Sequence, residues 1–161
     1  MAGATITLSE SNGTLAAIVV TEDISNVNFG NDDDPNLTPS ASTIVAQADG
    51  HSYEKWLRLH LTALGGGFQA GEGISSNLVV NGYIQSAYNT NGPVETDSED
   101  AVVAISEAVP ISANVGVGGV LNGQLTAIGY TDYIVLQLDV SESTPSGAVN
   151  TKTISLQWDE Q

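Results

Sequence analysis

The sequence contains few residues whose types and spacing are typical of catalysis or metal binding. His51 and His60 are its only histidines, and it has no cysteine, which excludes thiolate chemistry and cysteine-ligated zinc. The two histidines form neither a His-x-His nor a Glu-x-x-His pattern, so a transition-metal site has little support. We interpret both as ordinary surface or pocket histidines.

The densest group of side-chain oxygens is the segment Asn31–Asn36, which reads Asn-Asp-Asp-Asp-Pro-Asn. Hard cations such as Ca²⁺ are bound by several such oxygens, so this loop could supply ligands. It lacks the spaced acids and the distal glutamate of an EF-hand. We therefore predict a solvated acidic loop and no metal site, with Ca²⁺ binding by this loop as the alternative.

Other catalytic patterns are weaker still. Serine and aspartate are plentiful enough for a Ser-His-Asp triad, but no Gly-x-Ser-x-Gly sequence is present. The glycine-rich run Gly65–Gly73 lacks the Gly-Lys-Ser/Thr ending of a phosphate loop, and with Val115–Val120 it indicates close approach of backbone segments. No acid is marked out as one of a carboxylate pair. We predict that the protein is not an enzyme and has no catalytic, cofactor-binding or metal-binding residues.

The charge of the chain excludes further classes of function. Its 161 residues include 19 acids and 3 lysines and arginines, for a net charge of −16. Acids are about as common as in an average domain, so the imbalance comes from missing cations. Lys55, Arg58 and Lys152 cannot neutralise a run of phosphates, which excludes nucleic-acid binding and, by the same electrostatics, an anionic membrane surface.

The sequence shows no signal-peptide pattern at its start and no apolar stretch approaching the roughly 20 residues that span a bilayer. We expect a soluble domain made in a cytoplasm.

The elements that would position these residues are strands. In Glu54–Ala63, Leu57, Leu59 and Leu61 alternate with Trp56, Arg58 and His60, which is the period of a half-buried strand. Asp132–Val140 and Asn150–Trp158 repeat the alternation, and the turn around Pro145 and Gly147 predicts that these two strands form a hairpin. Shorter predicted strands are Thr5–Leu8, Ala16–Val20, Thr43–Gln47, Leu78–Ile84 and Val117–Leu121.

Asn-Gly pairs, among them Asn12-Gly13 and Asn81-Gly82, are typical of the turns between such strands. Thr96–Val109 starts with a capping box, yet its β-branched residues favour a strand, so both assignments stay open. We predict a single all-β domain over residues 1–161, an antiparallel β-sandwich of jelly-roll type with about eight or nine strands.

The chain has distinct strand and turn patterns at Lys55–Leu59, Gly65–Gly67, Ile74–Leu78, Asp132–Val140, Thr144–Gly147, Asn150–Thr153 and Gln157–Glu160. These patterns resemble those of small virion proteins of tailed bacteriophages. The resemblance covers roughly the last two thirds of the chain. The family supplies no catalytic residues to carry over.

The resemblance implies a non-enzymatic structural protein of the phage particle, and most specifically a capsid decoration (cement) protein. Such a protein lies on the outer surface of the capsid, binds the major capsid protein, forms a homo-oligomer, with a trimer favoured, and braces the head. We expect its contacts to come from an extended N-terminal arm, Met1–Ser11, and from the acidic loop Asn31–Pro39.

Two alternative functions are compatible with the same sequence patterns. One is a receptor- or carbohydrate-binding β-sandwich of a tail fibre or adhesin, which would stack sugar rings on Trp56, Tyr83, Tyr88 or Tyr130. The other is a neck or tail accessory protein with the same architecture, which the sequence does not distinguish from a head protein.

Overall fold

The fold is an antiparallel arrangement of strands. The computed structural model describes residues 3–14, 16–37, 50–65, 74–79, 84–89, 117, 124–140 and 155–160. Over these residues there is no helix, and every strand pair is antiparallel. The strands of the described part are β1 (Thr5–Thr14), β2 (Ala17–Thr21), β3 (Gly50–His51), β4 (Lys55–Ala63), β5 (Ile74–Val79), β6 (Ile84–Asn89), β7 (Gly129–Tyr130), β8 (Tyr133–Val140) and β9 (Ser155–Glu160).

Most of these strands belong to one sheet. Its order is β2-β1-β4-β8-β3, with β6 paired to β8 and β7 paired to β4, while β5 and β9 form a separate two-stranded sheet. The prediction of an all-β, antiparallel fold is therefore confirmed for the described residues.

β4 is the central strand, and its predicted alternation is confirmed. Leu57 and Leu61 are completely buried, whereas Arg58 and His60 on the opposite face are partly exposed. Trp56 differs from the expectation for the polar face, because it is only 4% exposed and its ring meets that of Tyr133 edge-on at 5.7 Å.

The apolar face of the sheet is covered by the segment that follows β2. Leu57, Ile134 and Leu136 form the buried centre of this core, and Ile24, Val27 and Phe29 pack against it together with Leu8. The Ile24 amide donates to the Leu8 carbonyl at 2.9 Å, which fixes the start of the covering segment on β1. A neighbouring core cluster holds Leu61 and Leu125, with Ala4, Ile6 and Val117 packed around them.

The predicted N-terminal arm is wrong for most of its length. Thr5–Ser11 lie in β1, which pairs with β2 on one side and with β4 on the other, so they form part of the sheet instead of an extended arm. Ser9, Glu10 and Ser11 are completely buried. The predicted strand Thr5–Leu8 was too short, because Glu10 and the polar residues after it continue the strand.

The predicted turn at Asn12-Gly13 is displaced along the chain. Gly13 pairs with Ile18 within the β1–β2 hairpin, whose last pair is Thr14 with Ala17. The φ angle of Gly13 is +87°, and a Cβ at this position would lie 2.5 Å from the Ala17 carbonyl oxygen. Glycine is therefore required here by the close approach of β2 and by the positive φ.

The predicted C-terminal hairpin is also wrong. β9 pairs with β5 from Ser155 to Glu160, in a different sheet from β8. Both edges of β8 are already used, since Leu136 pairs with Lys55 of β4 and with Ser86 of β6.

The remaining strand predictions are met in part or lie outside the described residues. Of the predicted strand Leu78–Ile84, the first two residues lie in β5 and the last lies in β6, which belongs to a different sheet, while residues 80–83 lie outside the described part. Of Val117–Leu121 only Val117 is described, as an isolated bridge residue. Thr43–Gln47 and Thr96–Val109 lie outside the described residues.

Candidate functional site

Two polar clusters lie on opposite faces of the β1–β4 pair. The register places Ser9 opposite Arg58 and Glu10 opposite Leu57, so neighbouring β1 residues point to different faces. We call the residues on the face away from the leucine core the outer cluster, and those on the core face the inner cluster. The outer cluster is Ser9, Glu22, Arg58, His60 and Tyr130; the inner cluster is Glu10, Asn12, Asp33, Asp34 and Lys55.

The outer cluster is organised around the Glu22 carboxylate, directly after β2. Ser9 Oγ donates to Glu22 Oε2 at 2.6 Å, and His60 Nδ1 lies 3.0 Å from the same oxygen. The Tyr130 hydroxyl donates to Glu22 Oε1. Pairing of β7 with β4 puts Tyr130 opposite His60, which explains why both side chains reach this carboxylate.

These contacts shift the ionisation of the carboxyl and of the phenol. Burial raises the pKa of Glu22, but hydrogen bonds from Ser9, Tyr130 and His60 together outweigh it and hold this pKa below its ordinary value. The hydrogen bond to Glu22, with desolvation, raises the pKa of Tyr130. The geometry therefore favours an ionised Glu22 beside a neutral Tyr130.

Aromatic rings complete the outer cluster. His60 and Tyr130 stack with their centroids 4.0 Å apart and their planes at 18°. The Arg58 guanidinium lies 3.8 Å from the Tyr130 centroid and 4.8 Å from that of Tyr133. Because a guanidinium is attracted to an aromatic face, these contacts stabilise the charge of Arg58.

This arrangement differs from a catalytic triad. In a triad the serine hydroxyl is hydrogen-bonded to the imidazole, which takes its proton. Here the Ser9 hydroxyl and the His60 ring both bind the same Glu22 oxygen. The Ser9 hydroxyl therefore donates its hydrogen bond to the Glu22 carboxylate and not to the imidazole. Glu22 is a weak base, because its hydrogen bonds lower its pKa.

The structure does not bring the two histidines together. His60 lies in the middle of β4, whereas His51 lies in β3 and pairs with Asp139 of β8. Among the described residues, no group of three or more histidine, cysteine, aspartate or glutamate side chains is arranged to hold a metal ion.

The aromatic residues proposed for sugar stacking are engaged within the fold where they are described. Trp56 is buried, and its Nε1 donates to Glu54 Oε2 at 2.9 Å. Desolvation raises the pKa of Glu54, partly offset by the Trp56 hydrogen bond. Tyr130 contacts His60 and Arg58. Tyr83 and the side chain of Tyr88 lie outside the described part.

The inner cluster contains an ion pair buried beside the leucine core. Lys55 Nζ lies 3.0 Å from Glu10 Oε1, and both side chains are 0% exposed. Lys55 Nζ also donates to the Asp34 carbonyl at 3.0 Å, and Asn12 Nδ2 donates to Glu10 Oε1 at 3.0 Å. Glu10 Oε2 and Asn12 Oδ1 are buried acceptors without a hydrogen-bond partner.

The acidic loop Asn31–Asn36 is fastened to this cluster. Asp33 accepts from Asn12 Nδ2 at one carboxylate oxygen and from the Gly13 amide at the other, both at 2.7 Å. Asp34 Oδ1 accepts from the Asn36 amide at 2.8 Å. Asp33 thus attaches the loop to β1, while Asp32, Asp34 and Asn36 are exposed, as expected for a solvated loop.

Neither cluster was predicted from the sequence, although one signal existed for the inner cluster. Lys55 has the same strand parity as Leu57 and Leu61, which places it on the buried face. Its partner Glu10 lies 45 residues away, and Glu22 lies 38 residues from His60. Nothing local to the sequence indicates these pairs. The glycine-rich runs, apart from Gly65 and Val117, lie outside the described residues.

Comparison of the chain with protein-family models, curated proteins and solved structures gave no match. No helix in the described part of the chain is long and apolar enough to cross a membrane.

Proposed function

We propose that the protein is a non-enzymatic structural component of a phage particle, and specifically a capsid decoration protein that stabilises the head. Its complete architecture is then a jelly-roll β-sandwich of about eight or nine strands. Its partner is the major capsid protein on the outer capsid surface, where it sits as a homo-oligomer, with a trimer favoured. The phage assignment comes from the resemblance in the strand and turn patterns.

A role in adhesion is supported by a contrast among the described side chains: the charged groups of the two clusters are bonded within the fold, whereas apolar side chains of β2 are exposed. Glu10 and Lys55 bind each other in the interior, and Glu22 binds three neighbouring side chains. The strand β2, in contrast, leaves Ile18, Val19 and Val20 exposed. A contact protein needs an accessible surface more than it needs free reactive groups.

The charge of the chain supports the same proposal. A protein on the outside of the head needs no contact with the packaged DNA, and a net charge of −16 keeps particles apart in solution. In the acidic loop Asp33 is bonded to β1, which leaves the exposed Asp32 and Asp34 as the acids that could meet basic groups on the capsid. The exposed surface of β2 replaces the arm as a candidate contact, beside the acidic loop.

The copy number in purified phage particles tests this proposal. Quantitative mass spectrometry should find the protein in many copies, in a simple ratio to the major capsid protein. A few copies per particle would assign it to the neck or tail, and its absence from particles would reject a virion role. A glycan array distinguishes the decoration protein from the carbohydrate-binding alternative. We expect no specific sugar binding, and specific binding would favour the adhesin.

A further inference from the structure

The strand β2 forms the edge of the main sheet in the described part of the chain. It pairs with β1 from Ala17 to Thr21 and is the first strand in the sheet order. In an antiparallel sheet the amides and carbonyls of alternate residues point away from the paired neighbour. An edge of this kind can accept a further strand from another chain.

The side chains of β2 are exposed to an extent that is unusual for their type. Val19 is 64% exposed, Ile18 is 40% exposed and Val20 is 37% exposed. Since consecutive strand residues point to opposite faces, this exposure occurs on both faces of the strand. The strand Ala17–Thr21 has no charge and a high β-propensity, which is typical of a pairing segment and is otherwise an aggregation hazard.

Acidic side chains of the described residues lie close to this edge. Asp23 is exposed two residues beyond β2, with Glu22 before it. Asp33 binds Asn12 and Gly13, which pair with Val19 and Ile18, so the acidic loop adjoins the hairpin. The lysine and the arginine of the described part have partners within the fold. Lys55 is buried against Glu10, and Arg58 lies over two tyrosine rings.

This distribution selects a basic partner over a second copy of the chain. A second copy would add further negative charge, from a chain of net charge −16, to an edge that already adjoins acids, so the proposed homo-oligomer would form through another surface. An extended segment with lysine or arginine near Asp23 gains attraction instead. In antiparallel pairing the N-terminal end of the added strand lies beside Thr21–Asp23.

We infer that β2 is a docking edge for an extended segment of another protein, with alternating apolar residues and a basic N-terminal end. The inference rests on the proposed function in that it names the partner class for the adhesive contact. The added strand pairs with the open backbone of β2, and its apolar side chains cover Ile18, Val19 and Val20.

Synthetic peptides test the inference without any particle. The probe is a labelled peptide of alternating valine and threonine with two N-terminal lysines, and its binding to the full chain is measured by fluorescence anisotropy. A peptide with two glutamates in place of the lysines tests the charge, and one with N-methylated backbone amides tests the pairing. We expect the lysine peptide to bind at least about tenfold more tightly than the glutamate peptide at low salt, and the N-methylated peptide not to bind.

Two matched variants locate the site. Val19→Lys should abolish binding, whereas Ile128→Lys should not, because Ile128 is 63% exposed and therefore equally accessible. Val19→Thr keeps the β-propensity and should weaken binding only in part. Circular dichroism and thermal unfolding confirm that each variant is folded.

Several results would overturn the inference. No binding, equal binding of the lysine and glutamate peptides, or equal loss in both lysine variants would each do so. Sedimentation that shows self-association abolished by Val19→Lys would assign the edge to a second copy instead. Peptide binding by a protein that is absent from particles would leave the docking edge standing and reject the proposed function.

Discussion

Lys55 and Glu10 form an ion pair 3.0 Å long in which neither side chain is exposed to solvent. The pair connects β1 and β4, and Lys55 also donates to the Asp34 carbonyl of the covering segment. Removal of one partner leaves the other charge buried. We therefore expect Lys55→Met to lower the free energy of unfolding by about 3–5 kcal/mol, measured by urea denaturation.

The double variant Glu10→Met with Lys55→Met is the matched control for this prediction. It removes both charges, so most of the lost stability should return. A double variant as unstable as Lys55→Met alone would mean that packing, and not the unpaired charge, accounts for the loss.

The attachment of the acidic loop gives a second prediction. Asp33→Ala removes two hydrogen bonds of 2.7 Å, to Asn12 Nδ2 and to the Gly13 amide, and should cost about 1.5–3 kcal/mol of unfolding free energy. Asp32→Ala, at an exposed neighbour with the same charge, should change stability by less than about 0.5 kcal/mol. Equal effects of the two variants in thermal unfolding would contradict the proposed attachment.

The outer cluster predicts a specific pH dependence. Because the folded-state pKa of Glu22 is below its ordinary value of 4.5, the ionised carboxylate stabilises the fold above about that pH, and the contribution is lost as the pH falls through the lowered pKa. Glu22→Gln should therefore be less stable than the wild type near neutral pH, with a difference that shrinks in acid.

Denaturation curves at a series of pH values measure this difference. Asp23→Asn removes the same charge from an adjacent exposed position and controls for net charge. A difference between wild type and Glu22→Gln that stays constant down to the lowest pH would be inconsistent with the hydrogen-bonded carboxylate.

Gly13 gives a prediction about the hairpin that carries the docking edge. Gly13→Ala places a Cβ 2.5 Å from the Ala17 carbonyl oxygen at a φ of +87°, and should destabilise the protein by more than about 1 kcal/mol. Gly129→Ala is the matched control. The φ of Gly129 is also positive, +153°, but a Cβ at this position would have no atom within 4 Å. The Gly13 variant should be the less stable of the two in a thermal unfolding experiment.

The parts of the fold that depend on local alternation could be predicted from the sequence. The burial of Leu57 and Leu61 follows from the period of two in β4, and so does the burial of Ile134 and Leu136 in β8. These residues repeat at the spacing that brings them to one face, and burial of that face is the dominant stabilising term.

Strand pairing could not be predicted in the same way. The short connection after β8 favours a hairpin, but β4 and β6 occupy both edges of β8, and β9 pairs with β5. β1 continues past Leu8 because Glu10 finds a buried cation in Lys55, a contact that no local pattern shows. Trp56 is buried on the face expected to be polar because Tyr133 and Glu54 provide partners for its ring and its Nε1.

Cryo-electron microscopy of phage particles tests the central claim most directly. Particles carrying the wild-type protein should show its density on the outer surface of the head, and so should particles with Ile128→Lys. Particles with Val19→Lys should lack that density, although the variant folds when purified. Density at the neck or tail, or heads fully decorated by the Val19→Lys protein, would contradict the account.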